Sequence, residues 1–379
     1  MRKVVWKKAL RKDHYESKPD YSIMAVVGII VLFGLFVLAS ASNVYSFNKF
    51  GSPYYVVLHQ IYTGIIPGFF AFYFFFHYDY RKLEKFSYLF FIISVALLLL
   101  VFIPGLAARY GTTRSWINVF GFSFQPAEAV KLTFLLFLAS WVQKKGFSEV
   151  TTFTYGLIPF LFYLSVISYL ILKQPDLGTL LIIVFFSMAV FYIAGAKIWH
   201  MAAFTALGLV GLAMKITTTP YLLNRINVFL HPQSDTQNIG YQVYQALIAI
   251  GSGGLFGKGL GKSQQKFLYL PEVSSDSIFP IIAEETGFLI SSLLILFFVF
   301  FMYRGTKIAR EAQDPFGRFL AAGIVIWITF QAFLNIAVMI GLAPVTGIPF
   351  PFVSAGGTSM VVSLCAIGIL ANISKHRLS

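Results

Sequence analysis

Asp276 stands in Pro271-Glu-Val-Ser-Ser-Asp276-Ser-Ile-Phe-Pro280, just ahead of a long apolar run. A lone carboxylate at such a mouth, beside a glycine-rich stretch, can take a proton from a hydroxyl nucleophile as a general base. The plainer reading is a helix N-cap, a position where Asp is favoured. Glu128 and Lys131 lie three apart and so share one helical face. They are either a self-neutralising structural pair or a cation turned toward a polar cavity, where it attracts a phosphate. Arg109, Arg114, Lys173, Arg225, Lys258, Lys262 and Lys266 add further cations, the groups that a departing pyrophosphate needs for its developing charge. The single cysteine, Cys365, excludes a disulfide framework and Cys-based zinc or iron–sulfur sites, and the six histidines show no ligand spacing. Gly257-Lys-Gly-Leu-Gly-Lys-Ser263 mimics a phosphate-binding loop, but Phe256 stands where its first glycine is required.

Those residues need elements to hold them, and composition says where these sit. Of 379 residues 58% are hydrophobic and only 12% charged, with 42 Phe and 20 Tyr. A soluble chain carries about 25% charged residues, so this is an all-α polytopic membrane protein. Apolar runs near the ~20 residues that cross a bilayer occur at 23–42, 56–77, 87–106, 126–143, 153–173, 177–195, 198–216, 279–303, 317–341 and 351–373. The expected architecture is therefore ten transmembrane helices in one domain (23–373). A basic segment (1–22) precedes it and a short tail (374–379) follows. Arg2, Lys3, Lys7, Lys8, Arg11, Lys12 and Lys18, with Arg81, Lys82, Lys85, Lys144, Lys145, Lys197, Arg304, Lys307, Arg310, Arg318, Lys375 and Arg377, place both termini in the cytoplasm. The net charge of +14 is thereby a matter of topology and anionic lipid, not of nucleic acid. One long segment, 217–278 between spans 7 and 8, lies outside. Within it Tyr241–Ile250 reads as a short helix on the membrane surface, followed by six glycines between 251 and 261. Chemistry is expected there.

The external segments resemble the SEDS glycosyltransferases of bacterial wall synthesis, nearly end to end. The likeness is carried by Trp116-Ile-Asn-Val-Phe-Gly121, Phe124-Gln-Pro-Ala-Glu128 with Lys131, Gln174-Pro-Asp-Leu-Gly178-Thr179, and Tyr241-Gln242 through Gly251-Ser-Gly-Gly254-Leu-Phe-Gly257. It continues in Leu270-Pro-Glu272, Asp276, Glu284-Glu285, Gly287, and Thr346-Gly-Ile-Pro-Phe-Pro351-Phe-Val-Ser354-Ala-Gly-Gly357-Thr-Ser359. Each piece alone is weak; their order and their shared outer face make the set specific. Around the aspartate this chain has Ser274-Ser275-Asp276-Ser277 where the family usually has His-Thr-Asp-Phe, and Ser354-Ala355 where Ser-Tyr is usual.

The resemblance implies ten spans and polymerisation of lipid II into glycan strands at the outer leaflet of the bacterial plasma membrane. Undecaprenyl pyrophosphate would be released. It implies Asp276 as the essential aspartate, Glu128 and Lys131 as an important pair, and Arg114 as a functional arginine. Arg225, Lys266, Glu272 and Ser354 complete the expected substrate- and pyrophosphate-binding set. No dedicated metal cage is expected, so Mg2+ or Mn2+ would be shared with the pyrophosphate. Expected partners are a class B penicillin-binding protein and other division or elongation proteins. Ala39-Ser-Ala-Ser42, Gly259-Leu-Gly-Lys-Ser-Gln-Gln-Lys266 and Ile369-Leu-Ala-Asn-Ile-Ser374 favour the division branch over the elongation branch. A lipid II flippase and a non-catalytic scaffold are the rival readings, and ionisable residues clustered outside rather than through the bilayer count against transport.

Overall fold

A computed structural model describes residues 17–105, 107–110, 113–119, 122–231, 239–267 and 269–377. Arg2 to Lys12 of the basic N-terminal segment lie outside that range. The helices are α1 (Tyr21–Phe50), α2 (Tyr55–His77), α3 (Ser87–Leu100), α4 (Pro126–Val150), α5 (Phe153–Lys173) and α6 (Leu177–Ile193). Then come α7 (Ile198–Thr218), α8 (Pro220–Leu230), α9 (Ile239–Ser252), α10 (Ile278–Glu311), α11 (Pro315–Met339) and α12 (Gly357–Lys375). Each of the ten apolar runs overlaps a helix, although α3 ends at Leu100 and α12 begins only at Gly357. Among the described residues seven helices are long and apolar enough to cross a bilayer: α1, α2, α5, α7, α10, α11 and α12. The apolar helices α3 and α6 are shorter, and α4 carries Glu128, Lys131, Lys144, Lys145 and Glu149 along its length.

Burial divides these helices into an interior and a lipid-facing shell. α4 is buried from Pro126 to Val142 with few interruptions, and α11 and α12 are buried over most of their spans. Phe160 of α5 stacks on Phe191 of α6 with centroids 4.1 Å apart, and Trp141 of α4 lies beside Phe191 at 6.4 Å. In the shell, none of α7's spanning stretch is buried. Exposed Trp199, Leu207, Leu209, Val210 and Met214 suit hydrocarbon, not water.

Three features depart from the sequence expectation. A three-stranded antiparallel sheet, β1 (Ala107–Tyr110), β2 (Thr113–Val119) and β3 (Phe122–Phe124), fills the connection between α3 and α4. Its register sets Ala107 opposite Ile117 and Ile117 opposite Phe124, so these three apolar residues share a face. The long segment before α10 holds α8 as well as the expected helix, which runs from Ile239 to Ser252 as α9. Third, α10 is broken at Gly287, whose φ is 74°.

The break is filled by the glycine loop. Lys258 and Gly259 donate their backbone N–H groups to the carbonyls of Glu284 and Glu285 at 2.9 and 3.0 Å. Phe288 and Leu289 donate in turn to Gly254 and Leu255 at 2.9 and 3.2 Å. A backbone near lipid must find every partner within the protein, and here one segment supplies what the other lacks. The fit requires glycine. A Cβ on Gly287 would lie 2.2 Å from the nitrogen of Gly257, and one on Gly257 2.3 Å from the carbonyl oxygen of Glu285.

At the opposite end the described chain closes on itself. The Ser17 N–H donates to the Lys375 carbonyl at 2.7 Å. Buried Asp20 caps α1 through the Ile23 amide at 3.2 Å and pairs with Arg304 at 2.6 Å and Arg377 at 3.3 Å. Asn372, in the sequon-like Asn372-Ile-Ser374, is buried there, accepting from the Tyr80 amide and donating to the Phe76 carbonyl.

Candidate active site

Asp276 lies in a tight turn, Pro271–Ser277, immediately before α10. The amides of Ser275 and Ser277 both return to the Glu272 carbonyl, at 3.0 and 3.2 Å. Glu272 adopts φ +53° to allow this, a conformation uncommon for a residue with a Cβ. The first residue of α10 is Ile278 and its cap position is Ser277. The N-cap reading of Asp276 is therefore corrected: it stands one residue too early, and its carboxylate is used elsewhere.

That carboxylate is only 6% exposed. Gln242 of α9 donates its Nε2 to Asp276 Oδ2 at 3.4 Å and to Ser277 Oγ at 2.9 Å. The Ser275 hydroxyl reaches Asp276 Oδ1 at 3.4 Å and Glu272 Oε2 at 3.1 Å. From α11, Asn335 Nδ2 donates to the Asp276 carbonyl at 2.9 Å and to the Ile348 carbonyl at 2.8 Å. Ser354 donates to the Ser275 carbonyl and accepts from the Phe350 amide, and Ala355 N–H reaches the Ser274 carbonyl at 2.7 Å. Buried Gln60, just before a π-turn in α2 (Ile61–Ile65), accepts from Gly356 N–H at 2.8 Å and so fixes the far side of this turn. Burial pushes the Asp276 carboxyl up to about 6, and the Glu272 charge adds to it, while Gln242 and Ser275 act against the rise. The product is a carboxylate poised near neutrality, as a general base should be.

Glu128 and Lys131 form a buried ion pair at 2.8 Å. Lys131 Nζ also donates to Gln331 Oε1 at 2.9 Å and lies over the Trp327 ring at 5.2 Å. Trp327 Nε1 donates to the same Gln331 oxygen, and Gln331 Nε2 donates to the Pro349 carbonyl, each at 2.9 Å. Gln331 and Asn335 are one turn apart on α11. One helical face thus supports both the lysine and, through the 348–354 segment, the aspartate. Glu128 Oε2 is buried with no partner. Asp176 caps α6 through the Thr179 amide at 3.0 Å and accepts from Gln125 at 3.4 Å.

The expected site residues therefore separate. Asp276, Glu272 and Ser354 share one turn-and-clamp arrangement, to which Glu128 and Lys131 connect through α11. Lys266 is elsewhere: it is buried against Glu285 at 3.3 Å, the Gly261 carbonyl at 2.6 Å and Ser40 at 3.3 Å. Its neighbour Glu284 gathers Lys258 at 2.8 Å, Ser263 Oγ at 2.5 Å and the Gln264 amide at 3.1 Å. Arg225 lines a cavity of about 130 Å3 with Val228, Val243, Leu247, Ile340 and Pro344. Arg114 lies on β2, and its side chain is outside the described residues. Among the described residues no three His, Cys, Asp or Glu side chains gather to hold a metal. Sequence reading singled out none of Gln60, Gln331 and Asn335. The available signal was an amide inside an apolar run, where an unpartnered polar group is costly.

The chain is similar to known proteins over almost its whole length. The cell cycle protein family FtsW/RodA/SpoVE matches residues 20–379. Stage V sporulation protein E of Bacillus subtilis is 39% identical over 95% of this chain and 98% of its own length. The probable peptidoglycan glycosyltransferase FtsW of Geobacter sp. strain M18 is 34% identical over 94% and 97%. In three dimensions a chain of a peptidoglycan synthase complex superposes with a TM-score of 0.79 at 23% identity, covering 95% of this chain and 98% of the other. The rod shape determining protein RodA of Thermus thermophilus does so with 0.70 at 23%, covering 95% and 98%. By sequence over almost its whole length, and by fold, this membrane protein belongs to the FtsW/RodA/SpoVE family.

Proposed function

We propose that the chain is a peptidoglycan glycosyltransferase that polymerises lipid II into glycan strands at the outer leaflet of the plasma membrane. The observation that carries this reading is Asp276: a buried carboxylate, bonded by Gln242 of α9 and Ser275 of its own turn and raised to about 6, at the mouth of a spanning helix. It is supported by relatives that are themselves named probable peptidoglycan glycosyltransferases. In the proposed step the Asp276 carboxylate accepts the proton of the acceptor's 4-hydroxyl. The freed oxygen forms its bond to the anomeric carbon of the lipid-linked strand as the bond to undecaprenyl pyrophosphate breaks, with inversion. Arg114, Lys131 and Arg225 are assigned to the pyrophosphate charge. Glu128 holds Lys131 in place until the anion arrives, and Ser354 and Glu272 shape the turn that presents the base. Any Mg2+ or Mn2+ is assigned to the pyrophosphate it accompanies.

Ten spans with cytoplasmic termini complete the reading, along with a crosslinking class B penicillin-binding protein as partner. The relatives include a stage V sporulation protein and a probable peptidoglycan glycosyltransferase FtsW; the motifs at 39–42, 259–266 and 369–374 favour a division role. The test is glycan polymerisation by purified protein supplied with lipid II and the cognate partner. Long strands are expected from the wild type, with a loss of about 100-fold or more in Asp276→Asn. Equal product from both would remove Asp276 as the base.

A further inference from the structure

We propose that Gln242 and Asn335 are positioning residues for Asp276, Gln242 by holding its carboxylate and Asn335 by holding the main chain beneath it. The inference rests on Asp276 acting as the base. Each amide spends its nitrogen on the aspartate and on one further group. Gln242 Nε2 serves Asp276 Oδ2 and Ser277 Oγ at 3.4 and 2.9 Å, and Asn335 Nδ2 serves the Asp276 and Ile348 carbonyls at 2.9 and 2.8 Å. A primary amide has two N–H donors and no more, so both pairs are fully used. Next to a carboxylate the amide must present its nitrogen. Gln242 therefore interacts most strongly when Asp276 is ionised, which is the form that takes a proton. Asn335 touches only the carbonyl and cannot distinguish the two forms. Its Oδ1 is buried with no partner, an arrangement explained by the demand on its nitrogen.

The surroundings let the two roles be separated. α9 meets Asp276 with Gln242, α11 with Asn335, and the Phe350–Ser354 turn with Ser354 bound to the adjacent carbonyl; none of these ionises. The charge that bears on the carboxyl is Glu272, on its own turn. Neither amide is close in sequence to what it holds, so the base is held only when α9 and α11 are both docked.

The test is the pH midpoint for labelling of Asp276 by dicyclohexylcarbodiimide, which attacks protonated carboxyls, read by mass spectrometry on the monodisperse full chain. Wild type should label with a midpoint near 6. Gln242→Leu should raise the midpoint by about one unit, since a bond to the charged form is lost. Gln242→Glu, of nearly the same shape, should raise it further and remains informative if the leucine variant does not fold. Asn335→Ala should leave the midpoint in place while lowering polymerisation kcat about tenfold at every pH, with KM changed less than about twofold. A midpoint unmoved in both Gln242 variants, or wild-type kcat in Asn335→Ala, overturns the proposal. Failure of Asp276 as the base would show separately, as an Asp276→Asn variant that still polymerises.

Discussion

Asp276 is costly to ionise where it sits, and the cost has a pH signature. Its carboxyl is raised from 3.8 to about 6 by burial first and Glu272 second. The folded chain therefore binds a proton that the unfolded chain has released. Stability falls as pH rises from about 4 to about 6 and stays low above, by up to about 3 kcal/mol for a shift of this size. Removing the charge should recover it: Asp276→Asn is expected to melt higher than wild type at pH 7.5 and at the same temperature at pH 4, while wild-type polymerisation rises with pH through the same window. An Asn variant no more stable at pH 7.5 would contradict this account. Residues of this kind are legible in a sequence because charge near a bilayer is expensive, which exposed Asp276, Glu128 and Lys131 at once. Asn335 was not, and Gln242 stood only inside the Tyr241-Gln242 piece of the resemblance with no role attached. Gln242 and Asn335 acquire meaning only from partners dozens of residues away, and no local pattern announces such a pairing. The cap reading failed because the turn closed on the Glu272 carbonyl runs through Ser277, so the helix starts at Ile278 with Ser277 in the cap position.

Among the elements, the broken helix α10 and the glycine loop depend on each other. The apolar run at 279–303 marked a helix correctly, but nothing in its hydropathy marked Gly287, because one glycine barely alters a long apolar average. The loop's glycines were visible as a cluster, and their task became clear only when the Gly254–Gly259 backbone met the gap. Gly287→Ala places a methyl 2.2 Å from a backbone nitrogen and on a positive φ, with no flexible side chain to yield. A cost of at least about 1–3 kcal/mol is expected, read as a lower melting temperature. Gly208→Ala on α7, with nothing within 4 Å, should leave melting unchanged. Equal behaviour of the two would mean that the loop is not seated in the break. The β1–β3 sheet escaped sequence reading because its strands are short and its turn residues few; the apolar run at 87–106 led directly into it.

For the whole molecule, the interior is organised by α4, α11 and α12, and the far end from Asp276 is closed by charge. Asp20 has no exposed side-chain surface and pairs with both Arg304 and Arg377, the latter shared with Glu311 at 3.6 Å. Removing one partner of a buried pair leaves uncompensated charge, worth about 3 kcal/mol or more. Asp20→Ala should therefore lower the melting temperature and speed amide exchange around Ser374–Arg377, with the Asp276 turn unaffected. Unchanged exchange there would show that the clasp holds nothing. The hydrogen bond from Ser17 to Lys375 has a different kind of consequence. With its two described ends touching, the described part of the chain is nearly a ring, and the order in which its helices are synthesised is separable from the order in which they pack. Joining those ends with a few residues and opening the chain at another turn would make a circular permutant in which no helix has to reverse direction.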